Sequence, residues 1–255
     1  MSIDWEVADA AMWRSRREYL RPVKNIDPIR VEDLLGVDEQ KAGLLRNTER
    51  FVNGKPANNA LLWGSRGTGK SSLIKAVFNE FRQQGLRLIE IEKNDLLYLP
   101  EIVDEIREAE YRFIIYCDDL SFEEGESSYK ALKSVLEGSI ELPPDNVLIY
   151  ATSNRRHLMP ESMADNVNSS IINGELHYAD AIEEKISLSD RFGLWLSFYP
   201  VNQTQYLAMI DHYFADFKGD RATLHAEALR FCQSKGGARS GRTAKQFYNS
   251  YYLEV

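Results

Sequence analysis

The chain has little of several things that would settle its class at once. Its 255 residues hold two cysteines, Cys117 and Cys232. So few thiols exclude a disulfide-stapled secreted scaffold, and neither stands at metal-ligand spacing. One lies in an apolar run and the other in a helical stretch, as buried thiols in a reducing compartment do, and the cytoplasm is the expected location. Four histidines (His157, His177, His212 and His225) show no zinc spacing. No apolar run approaches the roughly 20 residues of a membrane-spanning helix, so no membrane partner is expected. The opening "MSIDWEVADAAMWRSRREYL" mixes acids with bases and has no apolar segment, so it is not read as a secretory signal. A basic surplus is missing too. Lys and Arg number 31 against 39 Asp and Glu, a net charge of −8. That is the reverse of a wide nucleic-acid face and leaves room only for a local patch, such as "KGGARSGRTAK" at 235–245.

What is present is an ordinary globular mixture, 44% hydrophobic and 27% charged. Five short β-type runs stand out: 59–64, 86–91, 112–117, 146–151 and 194–199. Most are continuously apolar, which suits strands of a parallel sheet covered on both faces. Helical patterns fall at 70–84, 99–110 and 126–138 and near 180–190. Strand and helix in alternation predict an α/β fold with a five-stranded parallel sheet. After Pro200 the strand signals stop, and helical patterns follow at 202–217, 221–234 and 241–252. The expected division is an N-terminal helical and extended segment (1–30), an α/β core (31–200) and a small helical unit (201–255). The stretch 155–180 is polar, long and without period, as functional loops often are.

The chemistry begins at "NNALLWGSRGTGKSSLIKAVF", residues 58–78. "GSRGTGKS" fits G-x-x-x-x-G-K-[ST] between a strand and a helix. Glycines let the backbone turn successive N–H groups inward into an anion-binding nest. The following helix adds its positive N-terminal end. Gly64, Ser65, Arg66, Gly67, Thr68 and Gly69 form the candidate phosphate cradle, continued by Lys70, Ser71 and Ser72. Lys70 is a point charge for β- and γ-phosphates, and the Ser71 hydroxyl is an oxygen ligand suited to Mg²⁺.

Phosphoryl transfer also requires a metal-holding carboxylate and a group that positions water. These belong at the carboxyl ends of other parallel strands. "RFIIYCDDLSF" (112–122) supplies Asp118 for the metal and Asp119 for the water. The run "LIYATSNRRHL" then offers Asn154, with Ser153 and Thr152 as alternates, to orient that water. Arg191, just before the fifth strand, is of the type that reaches a neighbouring subunit's γ-phosphate. Arg242, with Arg239 as its alternate, opens the last helix, where a cation opposes the helix dipole unless an anion joins it.

Taken in order, a Walker A "GSRGTGKS", a Walker B "FIIYCDD", a sensor-1 "ATSN", an arginine-finger "SDRFG" and a sensor-2 "SGRTAKQF" resemble the AAA+ ATPases over about residues 34–250. More narrowly, "PANNALLWGSRGTGKSSL", "FIIYCDDLSFE" and "VLIYATSNRRHL" resemble a bacterial family known as domain-of-unknown-function 815. The AAA+ resemblance implies that Leu35, Gly36 and Val37 of "DLLGVDEQK" line an adenine pocket. It implies Mg²⁺-ATP bound between core and lid, and a homo-oligomeric ring or arc in which Arg191 completes the next subunit's site. The expected activity is ATP hydrolysis that remodels a protein or nucleic-acid client. Pore-loop candidates are "SFEEGESSYK" and 155–180. Many members carry Glu where this chain has Asp119, which implies slow turnover. The alternative is an ATP-dependent scaffold or switch, and a small-molecule kinase is a third reading.

Overall fold

A computed structural model describes residues 3–122, 127–138, 142–156, 158 and 190–251. The expected five strands are β3 (Ala60–Gly64), β4 (Leu86–Ile91), β5 (Arg112–Cys117), β6 (Val147–Ser153) and β7 (Leu194–Phe198). The sheet has seven strands, however, not five. β1 (Ala10–Arg14) and β2 (Tyr19–Pro22) extend it at one edge, giving the order β2-β1-β4-β5-β6-β3-β7. Every pair is parallel except β1 with β2.

The continuous apolar strands follow from two buried faces. Along β5, Phe113, Ile115 and Cys117 enter one core cluster, while Ile114 and Tyr116 enter the other. The first cluster is closed by α3 (Leu99–Ile106) and α4 (Ser127–Glu137) through Ile102, Val103, Ile106 and Leu132. The second is closed by α1 (Asp38–Val52) and α2 (Lys70–Phe81) through Leu44, Phe51, Leu73, Ile74, Val77 and Phe78. The result is a helix–sheet–helix sandwich.

Two corrections concern the N-terminal third. The segment expected to be helical forms the β1–β2 hairpin, joined by a short 3₁₀ turn at Ser15–Arg17. Its Ala, Met, Arg, Glu and Leu content favours helix locally, but pairing with β4 buries Ala10, Ala11, Trp13 and Leu20, and the tertiary gain prevails. Helix α1, 15 residues long, fills a stretch in which the sequence pattern had suggested no element. Its buried face is mixed, with Leu44 and Phe51 beside Asn47 and Thr48, so its apolar period is weak.

After β7 come α5 (Gln203–Tyr213), α6 (Arg221–Ser234) and α7 (Gly241–Tyr251). Asn202 and Asp220 cap α5 and α6 by accepting from Gln205 N and Thr223 N. These helices enclose a third apolar cluster centred on Phe214, whose ring meets those of Phe217, Phe247, Tyr248 and Tyr251. Among the described residues no helix is long and apolar enough to cross a membrane. Most of 155–180, the helix expected near 180–190 and residues 123–126 of one pore-loop candidate lie outside the described residues.

Candidate nucleotide site

β3 ends at Gly64 with φ of 129°, and a Cβ there would stand 2.0 Å from the Phe198 carbonyl oxygen. Only glycine lets the chain leave the sheet so close to β7, with Ser65 N donating to that same oxygen at 3.0 Å. The loop then turns through Gly67 and Gly69, both at positive φ, and α2 begins at Lys70.

Lys70 Nζ donates to the carbonyls of Gly64 and Ser65, each at 2.8 Å, and to Asn154 Oδ1 at 3.3 Å. Burial holds its pKa below the usual lysine value. The charges of Asp118 and Asp119 oppose that shift, and Arg242 and Arg66 reinforce it.

β6 lies between β5 and β3, so the ends of three adjacent strands bring Asp118, Asn154 and the loop to one edge. Ser71 Oγ donates to Asp118 Oδ1 at 2.8 Å, and Thr152 Oγ1 donates to the same oxygen at 2.5 Å. Asp119 N donates to Thr152 Oγ1 at 2.9 Å. Burial pushes the Asp118 carboxyl up, but hydrogen bonds from Thr152 and Ser71, with the Asp119 amide, outweigh it and leave the pKa below the usual carboxylate value. Asp119 takes φ of 54°, a left-handed conformation that aspartate tolerates better than most residues. Its carboxylate accepts from Asn154 Nδ2 and lies 4.0 Å from the Arg66 guanidinium.

These groups open onto a cleft of about 850 Å³ between the sheet edge and the C-terminal helices. That volume lies within the range of small-molecule sites. Arg66, Gly67, Thr68, Gly69, Lys70, Ser71, Ser72, Asp118, Asp119, Asn154 and Arg242 line it, with Leu35 and Val37. Gly36 is not in the wall. It turns at φ of 76°, and a Cβ there would touch Gln205 and Val201. Gly64 and Ser65 sit behind the wall and contribute carbonyls to Lys70. Arg239 stands off the cleft, near Cys232. Arg191 is outside it as well, paired with Glu137 at the end of α4.

Sequence reasoning missed several lining groups. Asp27, Pro28 and Ile29 reach the cleft because Asn79 of α2 donates to the Asp27 and Ile29 carbonyls, each at 2.8 Å. The prolines of that strap gave an extended-chain signal, but nothing local tied it to α2. His212 and Tyr213 come from α5, where helical spacing alone does not show which turn faces the core.

A phosphate loop on one strand end, an acidic pair two strands away and a helical cover define the P-loop fold of the AAA+ ATPases. Among solved structures, the chain superposes on AMPPCP-bound DnaA from Aquifex aeolicus with a TM-score of 0.60 at 16% identity, covering 90% of this chain and 67% of that one. It superposes on the Thermotoga maritima RuvB Holliday junction branch migration motor with a TM-score of 0.53 at 15% identity, covering 87% and 63%. In sequence, 63 residues are 39% identical to the replication factor C large subunit of Ignicoccus hospitalis. That stretch is 24% of this chain and only 13% of the relative's length. The chain belongs to the family described as "Protein of unknown function (DUF815)", which matches residues 6–254.

Proposed function

We propose that the protein binds Mg²⁺-ATP in this cleft and hydrolyses it, with residues 31–200 as the core and 201–255 as a lid. The observation that carries the proposal is the Ser71–Asp118 pair, 2.8 Å apart, lining one cleft with Lys70 and the phosphate loop. Two hard oxygen donors at a phosphate cradle fit Mg²⁺. Ser71 and Asp118 would hold it, and a bound Mg²⁺ supplies positive charge against the phosphate oxygens. Lys70 releases its two carbonyl partners to meet the β- and γ-phosphates. Asp119 positions the attacking water and accepts its proton, while Asn154 orients both. Arg242 meets the phosphates from the lid side, and Leu35 and Val37 pack against the base. Arg191 serves the cleft of a neighbouring copy, so the working form is a homo-oligomeric ring or arc. A protein or nucleic-acid client, still to be identified, feels the lid move. We place the protein in the cytoplasm, with which its two free, buried cysteines agree.

A second reading is favoured by the surroundings of Asp119. Asp119 is held by Asn154 and faces Arg66, and its side chain is one methylene shorter than glutamate. Both features suit a slow ATP-dependent switch or scaffold. Fluorescent-nucleotide binding and phosphate release separate the readings. Lys70→Ala is expected to lose nucleotide binding. Asp119→Asn is expected to keep binding and lose turnover by roughly a hundredfold or more. Binding without turnover in the wild type, at every protein concentration, would establish the scaffold. No binding at all would remove both readings.

A further inference from the structure

Two residues before Asp118, strand β5 carries a tyrosine. β5 ends at Cys117 and Asp118 follows it directly, while Tyr116 faces α2 and packs with Leu73 and Ile74. It is 1% exposed and belongs to the cluster that includes Leu73, Ile74 and Tyr150. Its neighbours along the strand (Phe113, Ile114, Ile115 and Cys117) bring no hydroxyl to this core. The Tyr116 hydroxyl lies beside Ser71 and Asp118. It completes no hydrogen bond of normal geometry with any group described. Tyr150, buried on the same face of β6, shows the ordinary solution, with its hydroxyl paired to Thr48 and Asn47. A buried hydroxyl without a partner is costly, and phenylalanine would fill the same space without that cost.

The orphan stands beside the two side chains proposed to hold Mg²⁺. Asp118 Oδ1 already accepts from Ser71 and Thr152, yet a carboxylate has about four acceptor positions. We infer that Tyr116 is a positioning residue for the Mg²⁺-nucleotide site: its O–H donates to the Asp118 carboxylate from the core side and keeps the outward lone pairs aimed at the cation. This inference rests on the Mg²⁺-ATP reading above. It assigns Tyr116 the role that outer hydrogen-bond partners play at metal sites, where their loss typically costs ten- to a hundredfold in metal affinity.

The test is Tyr116→Phe in the full chain, which keeps the ring and removes only the O–H. Fluorescent ADP binding is titrated with Mg²⁺ and repeated in EDTA, and thermal unfolding is recorded without nucleotide. The expected result is an increase of about tenfold in the Mg²⁺ concentration that supports binding. Affinity in EDTA should equal that of wild type, and the unfolding temperature should be unchanged or raised. A Mg²⁺ titration that superimposes on a Mg²⁺-dependent wild type overturns the role of Tyr116 and leaves the nucleotide site standing. Equal losses in Mg²⁺ and in EDTA, with a lower unfolding temperature, mark a packing residue and also overturn it. A wild type that binds no nucleotide under either condition removes the parent reading, and the inference falls with it.

Discussion

Asp118 collects donors from Ser71 and Thr152 while remaining exposed at the cleft, so its charge is worth more in the folded chain than in the unfolded one. Its folded pKa therefore lies below the ordinary 3.8. A carboxyl of this kind contributes stability that is fully present above its unfolded value and lost as pH falls through the folded one. Asp118→Asn cannot ionise. The gap in unfolding temperature between wild type and this variant is expected to be widest near neutral pH and to close as pH falls below the unfolded carboxyl's value. A gap that is constant with pH would mean that the carboxylate's charge contributes nothing. Sequence shows this residue well, because a phosphate loop and an acidic strand end are short local patterns. It hides the support. Thr152 is one alternate among three polar residues until the register sets Cys117 beside Ala151 and carries Thr152 to Asp118. Tyr116 hides more deeply, because in one dimension it reads as another apolar position.

Arg87 shows how an element can be invisible locally and firmly held globally. Its side chain is 8% exposed and ion-paired with Asp9 at 3.5 Å. Its Nε donates to the Trp5 carbonyl at 3.0 Å, and its guanidinium lies 4.1 Å from the Tyr111 ring centroid. One arginine on β4 thus fastens the chain that leads into β1. The helix-forming composition of residues 6–20 contains no trace of this tether, which explains why two strands were not legible there. Arg87→Met would take its donor from the Trp5 carbonyl and leave Asp9 paired with Arg82 at 4.0 Å, while roughly keeping the volume. It is expected to cost about 2–4 kcal/mol in urea unfolding. Hydrogen-exchange protection should be lost first at Ala10–Arg14. A loss below about 0.5 kcal/mol, the scale of ordinary surface substitutions, would show that the pairing of β1 with β4 suffices alone.

At the scale of the molecule, the sheet order gathers Lys70, Asp118 and Asn154, and the C-terminal helices approach from above until Arg242 N lies 3.5 Å from the Gly67 carbonyl. The α/β character was legible because continuous apolar strands imply cover on both faces. The approach of α7 to the loop was legible only through the sensor-2 resemblance that put Arg242 over the nucleotide, since no residue pattern by itself encodes the distance between two units. Arg191 remains outside this assembly. It opens the segment before β7, and Glu137 of α4 takes its guanidinium. If Arg191 serves a neighbouring cleft, it must exchange Glu137 for that cleft's γ-phosphate when copies associate. Phosphate release per subunit is then expected to rise with protein concentration and reach a plateau as association saturates. Arg191→Ala should bind nucleotide as wild type does and lose turnover by roughly a thousandfold or more, as removal of an arginine finger does. Glu137→Gln should act oppositely, weakening the internal pair and shifting the rise to lower concentration. Mixing Arg191→Ala with Lys70→Ala chains, each silent alone, should restore turnover, because one copy supplies the arginine and the other the intact loop. Turnover that is independent of concentration and untouched by Arg191→Ala would make the Arg191–Glu137 pair a feature of the single chain and remove the neighbour from the mechanism.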